Sequence, residues 1–73
     1  MEKKNGIGKK YWHNNLIFEG KYLNGQRNGE GKEYDNEGNL IFEGEYLYDK
    51  KIKGKELIGG RKEYEGEYLF GKK

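Results

Sequence analysis

The sequence predicts an all-β fold: a single-layer antiparallel meander of about six strands, made of stacked β-hairpins. Three observations predict it. One phrase occurs three times, as Phe18-Glu19-Gly20-Lys21-Tyr22-Leu23, Phe42-Glu43-Gly44-Glu45-Tyr46-Leu47 and Tyr64-Glu65-Gly66-Glu67-Tyr68-Leu69. The copies begin 24 and then 22 residues apart, and a fixed period of this size marks a repeat architecture. Apolar residues are spaced by two rather than 3.6, glycine interrupts every segment, and short Asn/Gly stretches separate the segments.

Each unit opens on a first strand. These are Asn5-Gly6-Ile7-Gly8-Lys9-Lys10-Tyr11, Asn28-Gly29-Glu30-Gly31-Lys32-Glu33-Tyr34 and Lys51-Ile52-Lys53-Gly54-Lys55-Glu56-Leu57. A polar connection follows: Trp12 to Asn15, Asp35 to Asn39, and Ile58 to Arg61. Asn14, Gly38 and Gly60 align within these connections, and Asn and Gly take a left-handed backbone most easily, as a hairpin turn requires. The repeated phrase is the second strand. Its alternation puts Leu16, Phe18, Gly20 and Tyr22 on one face and Ile17, Glu19, Lys21 and Leu23 on the other. The stretch Asn24-Gly25-Gln26-Arg27-Asn28-Gly29 is expected to link one hairpin to the next. The result is one repeat domain over 5–73, with repeats over 5–27, 28–50 and 51–73.

Composition limits what such a chain can be. Only 32% of the residues are hydrophobic, 38% are charged, and the mean hydropathy is −1.32. Those values alone suggest disorder, but eleven residues are aromatic, most of them at repeated positions, and large rings can hold a thin structure together. Ser, Thr, Cys, Pro, Ala and Val are absent. There is therefore no disulfide framework and no thiolate metal site, and the common nucleophiles of covalent catalysis are missing. No apolar run is long enough for a signal peptide or a membrane span, so the expected location is cytoplasmic. Net charge is +2, which names no partner by itself.

With these residues laid out, the chain resembles the MORN (membrane occupation and recognition nexus) repeat family. The likeness rests on aromatic-x-Gly-x-aromatic, then Gly25, then Gly29-Glu30-Gly31, and it covers essentially residues 5–73. The second copy departs from it, with Asp49 in the place of Gly25 and Ile52 in that of Gly29. The third keeps Tyr64, Gly66, Tyr68 and Gly71. The resemblance implies an elongated twisted sheet of hairpins whose glycines and aromatics line a groove. It also implies a non-catalytic scaffold module, to which phosphoinositide binding, peptide binding and self-association have been attributed. Neither end carries a distinct capping unit, so the chain is expected to be part of a longer array or to associate through its edges.

Two groups of residues are candidates for function. The first is the aromatic row Phe18, Tyr22, Phe42, Tyr46, Tyr64 and Tyr68. One layer cannot cover both its faces, so this row is expected to serve as core and as a partner-binding face for a protein, a peptide or a second copy of the chain. The second is a basic rim formed by Lys3, Lys4, Arg27, Lys50, Lys51, Lys53, Lys72 and Lys73. It keeps a flat sheet soluble, and it offers the alternative function of peripheral attachment to an anionic phospholipid membrane. Lys9, Lys32 and Lys55 are placed to pair with Glu19, Glu43 and Glu65 across strands.

No enzyme, cofactor or metal is expected. The glutamates recur with the repeat, as positions in a fold do, and His13 is a lone histidine in a turn. Gly29-Glu30-Gly31-Lys32 lacks the Ser/Thr and the helix of a phosphate loop. Low net charge and interspersed glutamates argue against nucleic acid. The sequence thus predicts a non-catalytic protein–protein interaction module.

Overall fold

The structure, a computed structural model, describes residues 5–69 and residue 72. It is all-β: β1 (Gly6–Trp12), β2 (Asn15–Leu23), β3 (Gln26–Tyr34), β4 (Leu40–Leu47), β5 (Lys50–Ile58) and β6 (Arg61–Glu67). They form one antiparallel sheet in the order β1-β2-β3-β4-β5-β6. The body measures 39 × 30 × 15 Å.

The register explains the repeated glycines. Gly8 pairs with Gly20, Gly20 with Gly31, Gly31 with Gly44, Gly44 with Gly54, and Gly54 with Gly66. A row of glycines therefore crosses all six strands, and the aromatic rings lie down on it. A Cβ on Gly31 would stand 2.8 Å from the Phe18 ring and 2.9 Å from the Tyr46 ring. On Gly54 it would stand 2.8 Å from Phe42. These separations are shorter than real carbon contacts, so only glycine lets the rings reach the backbone.

The rings then pack on one another as an edge-to-face ladder, in the order Tyr22, Phe18, Tyr46, Phe42, Tyr68, Tyr64. Centroid separations run from 5.3 to 5.8 Å, the favoured geometry for aromatic pairs. Each contact contributes roughly 0.5–1.5 kcal/mol beyond its burial. Phe18, Phe42, Tyr46 and Tyr68 form the core, with Tyr22 and Tyr64 half-buried at the two ends.

The opposite face carries a charge ladder. Lys9 faces Glu19, Glu19 faces Lys32, Lys32 faces Glu43, Glu43 faces Lys55, and Lys55 faces Glu65. Three of these pairs close to 3.9, 3.6 and 3.4 Å: Lys9–Glu19, Lys32–Glu43 and Lys55–Glu43. They are well exposed, so each contributes at most about 1 kcal/mol, and their main effect is on register.

The expected left-handed positions hold, with φ of 67° at Asn14, 87° at Gly38 and 82° at Gly60. The link between hairpins is shorter than expected. Asn24 and Gly25 alone make the turn, both at positive φ, and the chain re-enters the sheet at Gln26. Asn-Gly suits the two-residue turn whose twist matches paired strands, so Gln26 to Gly29 are strand rather than loop.

Gly31→Ala is expected to lower unfolding stability by about 1–3 kcal/mol, because two rings must shift. Urea denaturation followed by far-UV circular dichroism measures it; unchanged stability would mean that the rings have another place to lie.

Candidate functional site

Because the rings rest on the glycines, the aromatic face is roofed by whatever projects beside them. Arg27 pairs with Tyr22, and Lys51 pairs with Tyr46. The Arg27 guanidinium sits 5.4 Å from the Phe18 centroid and 4.9 Å from that of Tyr46. The Lys51 ammonium sits 4.3 Å from the Phe42 centroid and 5.9 Å from that of Tyr68. Both are cation–π contacts, and a half-buried setting strengthens them.

Glu33 ties this layer together. Its carboxylate accepts the Tyr46 hydroxyl and lies 3.8 Å from Arg27 and 3.7 Å from Lys51. Glu56 accepts the Tyr68 hydroxyl in the next repeat. Burial, followed by the hydrogen bond to Glu33 and its negative charge, pushes the Tyr46 hydroxyl far above the ordinary tyrosine value. Tyr68 is raised in the same way, first by burial and then by Glu56.

Arg27 is held from behind by the β4–β5 turn. The Arg27 N–H donates to the Asp49 carboxylate at 2.6 Å, and its guanidinium donates to the Asp49 carbonyl at 2.9 Å. The Asp49 N–H returns a bond to the Arg27 carbonyl at 3.0 Å. Tyr48 and Asp49 both have positive φ, a costly turn for non-glycine residues that these bonds offset. The position where the sequence departs most from its own repeat is thus a clasp.

The aromatic row is one assembly, with Phe18 and Tyr46 each only 2% exposed. The space over the bare glycines of this face is filled by the protein's own rings. The basic residues do not share one rim. Arg27 lies within β3 and Lys51 within β5, both over the aromatic face. Lys53 lies on the opposite face, 3.2 Å from Glu45. Lys50 is exposed at the start of β5, and Lys72 is exposed beside Leu69. The expected roles of Lys3, Lys4 and Lys73 fall outside the described residues. The physical reason for this scatter is that Arg27, Lys51 and Lys53 are strand residues, and strands send neighbours to different faces.

Concavities remain on both faces. On the charged face a groove of about 660 Å³ runs along the glycine backbone between Lys/Glu walls that include Glu19, Lys32 and Glu43. On the aromatic face a cleft of about 310 Å³ is lined by Lys10, Trp12, Ile17, Phe18, Arg27, Glu33, Tyr34 and Asn36. It forms where pairing slips between Lys10 and Tyr11 and between Glu33 and Tyr34. Sequence reading missed Trp12, Tyr34 and Glu33 as parts of a site. The recurrence of Glu33 as Glu56 was the available signal; nothing in the pattern signals a cleft made by slipped register. Among the described residues, no group of three His, Cys, Asp or Glu side chains is placed to hold a metal.

No protein-family model matches the chain, and no curated protein and no solved structure matches it either.

Tyr46 and Tyr68 are expected to stay protonated in the folded protein at a pH that ionises a free tyrosine. Folding raises both values, so their contribution to stability is complete below pH 10 and is lost as pH rises beyond it, where the unfolded chain sheds those protons. Tyrosinate absorbance, followed together with the far-UV signal, checks this. Ionisation of Tyr46 and Tyr68 at the free tyrosine value in a folded sheet would contradict it.

Proposed function

We propose that the protein is a non-catalytic, MORN-type repeat module that binds a protein or peptide segment on its aromatic face, at the cleft beside Phe18. The observation that carries the proposal is the character of this cleft. Trp12 is 60% exposed at its wall, Tyr34 is half-buried, and Phe18 forms part of its lining. An apolar or aromatic side chain gains from desolvation between such rings, and an aromatic body with a polar tip suits a recognition surface. Lys10, exposed at the mouth, favours an acidic residue next to that anchor. The volume suits a side chain or a short segment.

Several features support the binding reading over a catalytic one. The chain has no Ser, Thr or Cys to act as nucleophile, and Glu19, Glu33, Glu43, Glu45, Glu56 and Glu65 are engaged with lysines, tyrosines or arginine. The charged groove has a backbone floor and mostly charged walls, with Ile7 as its one large apolar lining residue and no aromatic ring. Attachment to an anionic membrane has less behind it. Arg27 is committed to Asp49 and Glu33, Lys51 to Glu33, and Lys53 to Glu45.

Trp12 is the only tryptophan, and it reports on the cleft directly. Titration with peptides that carry an aromatic residue beside an acidic one is expected to shift its emission. Tyr34→Ala and Lys10→Glu should each weaken binding about tenfold, and Glu67→Gln, on the opposite face, should leave it unchanged. Affinity that survives both cleft substitutions would sink the proposal.

A further inference from the structure

The charge ladder has two unlike ends. Inside the sheet a carboxylate is flanked on both sides: Glu43 lies 3.6 Å from Lys32 and 3.4 Å from Lys55. At one edge the ladder starts with Lys9 on β1, which has Glu19 on its inner side at 3.9 Å. At the other edge it stops with Glu65 on β6, which has Lys55 opposite on its inner side and accepts from Lys62 of its own strand at 2.6 Å. Among the described residues, no strand pairs with the outer edge of β1 or of β6. Such edges present a row of backbone donors and acceptors ready to receive another strand.

The internal repeat supplies the geometry of that pairing. Where β4 meets β5, Phe42 pairs with Glu56, Glu43 with Lys55, Gly44 with Gly54, and Glu45 with Lys53. Tyr64, Glu65, Gly66 and Glu67 on β6 are the counterparts of the β4 residues, and Lys10, Lys9, Gly8 and Ile7 on β1 those of the β5 residues. From this correspondence we infer that a second copy of the chain adds head to tail, its β1 pairing antiparallel with β6 of the first. Glu65 then faces Lys9 of the second copy, Gly66 faces its Gly8, and Tyr64 faces its Lys10.

This arrangement continues every row of the sheet. The Lys/Glu alternation runs on without a break, and the glycine row passes from one copy to the next. The ring ladder follows: Phe18 takes Tyr46 of the next repeat, Phe42 takes Tyr68, and Tyr64 takes Tyr22 of the added copy. Charge selects this arrangement over symmetric ones. Joining β6 to β6 sets Glu63, Glu65 and Glu67 against the same carboxylates, and like charges across strands repel. Joining β1 to β1 brings together two lysine-bearing edges that contain no carboxylate. A head-to-tail contact uses unlike surfaces, so growth proceeds to open chains of copies or to a ring, and does not stop at a dimer. The contact shares β1 and Lys10 with the peptide cleft, but its charge pair, Glu65 with Lys9 of the added copy, lies on the opposite face, so substitutions at Lys9 and Glu65 read the assembly apart from the cleft.

Sedimentation velocity over a concentration series tests this, with far-UV circular dichroism to verify the sheet. The wild-type chain is expected to grow continuously with concentration. Lys9→Glu and Glu65→Lys each place like charges across the junction and should weaken association about tenfold. An equimolar mixture of the two variants restores opposite charges at both kinds of junction and should associate like wild type. The K9E/E65K double variant, whose junction is reversed but matched, should do so as well. If one single variant loses its sheet, the other and the double variant carry the same comparison. A chain that stays monomeric at every concentration, one that stops at a dimer, or a mixture no better than its components would overturn the head-to-tail assembly.

Discussion

A sheet one layer thick has no second layer to bury its rings against, and this constraint shapes the whole molecule. The solution is to remove side chains along one row so that the rings can fold flat onto bare backbone. Gly20, Gly31, Gly44 and Gly54 make that row, and Phe18, Phe42 and Tyr46 occupy it. A core then exists without a second sheet or a helix. The cost falls on the other face, where the same missing side chains leave a groove bordered mainly by flanking lysines and glutamates.

With the rings lying flat, their upper surfaces need a cover that tolerates water. Arg27 and Lys51 provide it, because a long cationic side chain can lie along a ring and still keep its head partly hydrated. Two cations side by side would repel, and Glu33 sits between them with the Tyr46 hydroxyl as a further partner. Among the described residues no buried side-chain polar atom lacks a hydrogen-bond partner, so this charged lid closes without a stranded group. The first repeat differs: Lys10 stands where Glu33 and Glu56 stand in the others, and the cleft lies beside it.

Much of this was legible from the residues. The repeat fixed the strands, the alternation fixed the faces of β2 and β4, and Asn14, Gly38 and Gly60 marked the turns. Lys9, Lys32 and Lys55 pointed to their glutamates. Strict alternation fails at Lys51. Counted by twos from Gly54, it belongs to the charged face, but pairing slips between Glu45 and Tyr46 and Ile52 is the extra residue. Lys51 therefore turns to the aromatic side. The slips that open the cleft around Trp12 and Tyr34 have the same origin. A bulge is decided by how two strands share their hydrogen bonds, and neither strand shows it alone.

A chain that repeats itself risks pairing the wrong copies, since β2 would meet β5 with nearly the same glycines and charges as it meets β3. Nothing in the regular phrase distinguishes those partners. The Asp49–Arg27 clasp does, because its carboxylate, carbonyl and amide engage one particular arginine, and the first repeat has Gly25 in the place of Asp49. Irregularity here works as an address. The least typical repeat sets the frame in which the two typical ones are counted.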